Sequence, residues 1–89
     1  MLNEKWIKYI EEMHLGASSL VFYDENNHIF ISVFQDDYGM YVGQIVHWSE
    51  TGYSSAILCR EETWPEAWAT TKEVAWGVHF ALNESKEVA

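Results

Sequence analysis

The sequence predicts an α+β fold of order α-β-β-β-β-α, a four-stranded antiparallel meander with two helices packed on one face. Three observations carry this. Apolar residues recur at helical spacing near each terminus. Between them the period changes to two, in runs of β-branched and aromatic residues. Each run is parted from the next by a few residues of turn chemistry, too short for anything but an antiparallel return.

Residues 3–14 read as the first helix. Asn3 is placed to cap it, and Glu4 sits in the first turn, where the helix dipole favours an anion. Trp6, Ile7, Ile10 and Met13 supply the apolar stripe, and Gly16 is the expected stop. Strands follow at Ser19–Tyr23, His28–Phe34, Met40–Trp48 and Tyr53–Cys59. The intervening segments, 24–27, 35–39 and 49–52, concentrate Asp, Glu, Asn, Ser and Gly. Thr63 and Glu66 form a capping box with Pro65 in the first turn, so the second helix starts here and runs to about Asn83. Its sheet-facing side is Ala67, Thr71, Val74, Ala75, Val78, Ala81 and Leu82, and residues 84–89 read as a frayed tail.

The 89 residues make a single domain. Five Trp, five Tyr and four Phe exclude a disordered acidic chain, because large aromatics bury much area in a small core. Cys59 is the only cysteine, which removes an internal disulfide and fits a reducing compartment, the cytoplasm. No signal peptide and no membrane-spanning run is visible.

Some apolar surface is left over. Beside the sheet-facing side of the second helix stand Trp68, Trp76 and Phe80, read as the contact of a homodimer or another partner. Neither face of the second and third strands is wholly polar, so the second sheet face is expected to meet another subunit or to form an exposed aromatic surface.

Charge is the main functional clue. The formal net charge is −9, and from Tyr9 to Cys59 there is no lysine or arginine. Glu11, Glu12, Asp24, Glu25, Asp36, Asp37 and Glu50 fall in that stretch, with Glu61 and Glu62 just beyond. Such a balance repels nucleic acid and anionic lipid and favours a basic protein partner. On the meander, Asp24, Glu25 and Glu50 fall at one end of the sheet; Asp36 and Asp37 fall at the other, near Glu61 and Glu62. Neither end is expected to hold a nearby lysine.

Catalytic and metal patterns are weak. His14, His28, His47 and His79 show no metal-ligand spacing, and Cys59 reads as packing rather than as a nucleophile. There is no phosphate loop, nucleophile elbow or dinucleotide fingerprint. The expectation is a non-enzymatic protein without cofactor or metal.

Size, acidity and organisation resemble phage-type, DNA-mimicking anti-defence proteins such as anti-CRISPR or anti-restriction inhibitors, although no motif of a particular family is present. The resemblance implies carboxylates standing in for phosphates on the basic surface of a nuclease or other nucleic-acid-binding protein. Asp24, Glu25, Asp36, Asp37 and Glu50 are the first candidates for that contact, with Glu61 and Glu62 next. An immunity protein or antitoxin covering a basic toxin uses the same physics. A small oligomeric structural or ligand-binding protein, using its aromatic surface, is the alternative of another class.

Overall fold

A computed structural model describes residues 3–88, and their side chains as far as Glu84. The element order is α1 (Glu4–Glu12), β1 (Ser18–Asp24), β2 (Ile29–Gln35), β3 (Tyr41–Ser49), β4 (Gly52–Glu61) and α2 (Trp64–Val88). The four strands form one antiparallel sheet in the order β1-β2-β3-β4, as their spacing predicts. Both edge strands are bulged. The register slips between Leu20 and Phe22 in β1, and beside Gly43 and Gln44 at the pairing with β4. Bulges of this kind twist an edge and blunt its readiness to pair with another chain.

The helices do not share a face. Gly43 and Gln44 are neighbours on β3, so their side-chain positions point to opposite sides of the sheet. Gln44 accepts a hydrogen bond from the Tyr9 hydroxyl of α1 at 3.3 Å. Gly43 lies directly under Thr71 of α2. The fold is therefore a sheet between two helices, and the expectation of both on one side is corrected. This also explains why β2 and β3 lack a polar face: Phe30, Ile31, Ser32 and Val33 are all buried in succession. The second sheet face needs no other subunit where α2 lies on it.

On the α1 side the core is aromatic. Tyr9, which the stripe of Trp6, Ile7, Ile10 and Met13 leaves out, meets Phe30 and Tyr53 edge-on at 5.3 and 4.9 Å. Trp48 stacks on Phe30, Tyr23 and His28. Each such pair contributes about 0.5–1.5 kcal/mol beyond its buried area. Ile7 and Met13, expected in the stripe, are exposed, whereas Trp6 and Ile10 are half-buried.

On the α2 side the contact is made by small residues. Ala67, Thr71 and Ala75 are buried, with Val74, Val78 and Leu82 half-buried and Ala81 exposed. Cys59 Sγ sits 3.4 Å from Thr71 Oγ1 and 3.9 Å from the Ala67 carbonyl oxygen, as packing under the helix.

The helix ends differ from expectation in instructive ways. Asn3 occupies the N-cap of α1 without a side-chain hydrogen bond. At the other end His14, not Gly16, takes the left-handed conformation with φ 54°. Leu15 N–H then donates to the Ile10 carbonyl and His14 N–H to that of Glu11, a Schellman closure. Thr63 caps α2 as expected, with Glu66 N–H donating to Thr63 Oγ1, and Glu66 completes the pair by accepting the Thr63 hydroxyl at Oε1 in place of its backbone N–H. Helix α2 runs to Val88, past the end expected near Asn83. Of the tail read at residues 84–89, Ala89 and the side chains of 85–88 lie outside the described residues.

Candidate functional site: the acidic end of the sheet

The turn between β2 and β3 is built by its first acid. Asp36 Oδ1 accepts the backbone N–H groups of Tyr38 and Met40, each at 2.9 Å, and Gly39 takes φ 83° to close the loop. Asp36 Oδ2 lies 3.5 Å from Arg60 Nε, an ion pair without hydrogen-bond geometry. Asp36 is thus a structural residue whose charge is largely spent within the fold.

The rest of this end faces outward. The register pairs Gln35 with Tyr41 and Tyr41 with Glu61, which brings the exit of β4 beside the 36–40 turn, as the meander implies. Asp37 and Glu62 are exposed and Glu61 is half-exposed. At the tip of the turn Tyr38 is 90% exposed, the most accessible large apolar side chain among the described residues. Tyr41, Trp64 and Trp68 continue the aromatic surface: Tyr41 meets Trp64 edge-on at 5.6 Å, and Trp64 stacks with Trp68 at 6.3 Å. Trp68 therefore belongs to this end and not with Trp76 and Phe80. Tyr38 was missed in the sequence because a tyrosine between Asp37 and Gly39 reads simply as part of a turn.

The opposite end holds Asp24, Glu25 and Glu50, as the strand order requires. Here too one acid builds the turn: Asp24 accepts the Asn27 backbone N–H at 3.1 Å and its side-chain amide at 2.8 Å. Glu25 accepts the Tyr23 hydroxyl at 2.8 Å. Burial, reinforced by that carboxylate, pushes the Tyr23 phenol up to about 12. Burial likewise raises the Tyr53 phenol, with Glu12 adding to it. Glu50 lines a surface depression together with Lys5, Lys8 and Glu12. The expectation that neither end holds a nearby lysine fails at the 49–52 end, whereas at the 36–40 end the nearby cation is an arginine. Helix α1 brings Lys5 and Lys8 beside Glu50, and β4 brings Arg60 to Asp36.

The two ends consequently differ. At the 24–28 and 49–52 end, Lys5 and Lys8 stand among the acids. At the 36–40 end Arg60 is engaged by Asp36, and Asp37, Glu61 and Glu62 share that end with an exposed tyrosine.

Among the described residues, no group of three His, Cys, Asp or Glu side chains is placed to hold a metal ion. His28 and His47 lie 6.4 Å apart as rings, but His28 stacks on Trp48. No described helix is long and apolar enough to cross a membrane. Comparison with known proteins gives no match: no family model, curated protein or solved structure is similar to this chain.

Proposed function

We propose that this protein is a small, acidic, non-enzymatic inhibitor that works in the cytoplasm by occupying a basic surface of a nucleic-acid-binding enzyme. In this reading it belongs to the phage-type anti-defence class, and its cytoplasm is that of the host cell. The observation that carries the proposal is the pairing of Asp37, Glu61 and Glu62 with Tyr38 at one end of a rigid sheet. A tyrosine exposed at 90% gives no stability to the fold it projects from. With Asp37 next to it in the chain and Glu61 and Glu62 at the same end of the sheet, it has the make-up of a binding hot spot: an aromatic anchor with charges that meet Arg or Lys of a partner. The net charge of −9 accelerates encounter with a basic surface and disfavours nucleic acid itself.

The test is a pull-down from host cells at low and high salt, with the wild-type chain and two variants. The first variant is Asp37→Lys/Glu61→Lys/Glu62→Lys, and the second is Tyr38→Ala. The expected result is capture of a basic nucleic-acid enzyme at low salt, its release by high salt, and its loss with either variant. Tyr38→Ala should cost about 2 kcal/mol or more of binding. Capture that is equal for all three proteins would sink the proposal.

A further inference from the structure

Along α2 runs a row at four-residue spacing, Lys72, Trp76, Phe80 and Glu84, all exposed; it starts on the flank where Lys72 and Trp76 line a cavity with Val21 and Phe22 of β1 and winds outward from the sheet. Trp76 and Phe80 are 53% and 59% exposed and stack on one another at 5.6 Å. The geometry points to a homodimer in which this row meets its own copy antiparallel, helix on helix.

The order of the row is what selects a second copy as the occupant. Read from its other end it becomes Glu, Phe, Trp, Lys. Two copies laid antiparallel about the middle of the row therefore set Lys72 against Glu84 of the other chain, twice, and Trp76 against Phe80, twice. Within one chain Lys72 and Glu84 are twelve residues apart, roughly 18 Å along a helix, too far to pair. Across the two-fold they form a charge-complementary, isologous contact, the commonest kind in soluble dimers. Rows at four-residue spacing are also the ridges by which packed helices interlock.

A second observation comes from the groove beside this ridge. Its neighbouring row is Glu73, Gly77 and Ala81, with small residues opposite the aromatic pair. A glycine in mid-helix costs about 1 kcal/mol relative to alanine, and a Cβ at Gly77 would meet nothing in its own chain. The monomer gives that glycine no purpose. A second helix seated in the groove does, because the missing side chain leaves room for the incoming aromatic ring.

The contact is one helical row wide, at the low end of specific interface sizes, so the dimer should dissociate on dilution. Sedimentation equilibrium of the whole chain, from micromolar to millimolar, is the test. The expected result is a concentration-dependent rise from 10.4 kDa towards twice that mass. Trp76→Ser and Phe80→Ser should each weaken association about tenfold or more. Gly77→Ala should raise the monomer's thermal midpoint through helix propensity yet weaken the dimer. Lys72→Glu and Glu84→Lys should each weaken it, and the double exchange should restore it. Helical circular dichroism verifies that each variant is folded. A strict monomer at millimolar concentration overturns the proposal, as does a dimer indifferent to Trp76→Ser. Failure of the double exchange to restore association overturns the antiparallel register. None of these variants touches Tyr38 or its surrounding acids, so the result is independent of the inhibitor reading.

Discussion

At the scale of single residues, the fold's tightest point is Gly43. A Cβ there would overlap the Thr71 hydroxyl and press on Cys59 Sγ, so α2 can approach β3 only over a glycine. Gly43→Ala should destabilise by about 1–3 kcal/mol, as overpacking of a filled site does, and chemical denaturation measures it. Tyr23 gives a prediction in pH. Its phenol ionises near 10 when unfolded and at about 12 in the fold, so the folded state holds the proton more tightly. The stability from this group is fully present below pH 10 and is lost as pH rises towards 12. Tyr23→Phe should flatten the fall of the thermal midpoint across that window. An unchanged slope in the variant would remove Tyr23 as the cause. The Asp36 turn was legible as chemistry, since an acid followed by Asp37, Tyr38 and Gly39 reads as a loop. Its pairing with Arg60 was not, because the two residues are far apart in the chain and meet only through the register of β2, β3 and β4.

At the scale of elements, order and type were written in local signals: the switch of apolar period, the turn residues, and the Thr63–Glu66 box. Which face each helix takes was not. Both helices carry an apolar stripe and both sheet faces are apolar, so periodicity alone permits either arrangement. The decisive hint was Gly43 inside a central strand, the mark of a close approach from the side where α2 lies. The end of α1 was misread for a different reason. Gly16 is the better left-handed residue, but the helix closes two residues earlier, and His14 adopts φ 54° at a cost. His14→Gly should therefore stabilise the protein by about 1 kcal/mol, visible as a rise in the thermal midpoint. A fall would mean that the His14 side chain contributes more than its backbone strain takes away.

At the scale of the whole molecule, a stretch without cations in the chain is not a region without cations in space. Lys5 and Lys8 of α1 line the same depression as Glu50, with Lys8 paired to Glu12 at 4.0 Å, and Arg60 returns along β4 to Asp36. Sequence shows where the anions are concentrated; the tertiary fold decides which of them are answered. At the 36–40 end stands Tyr38, invisible to any argument from charge. The strand that separates the poles sets a length. Seven residues of β2, at about 3.3 Å each, hold the two turns roughly 23 Å apart. On a duplex rising about 3.4 Å per base pair, that is close to seven steps. A target that reads only Tyr38 and its acids needs one basic patch. A target that reads both poles must carry two, set apart by most of a helical turn of DNA.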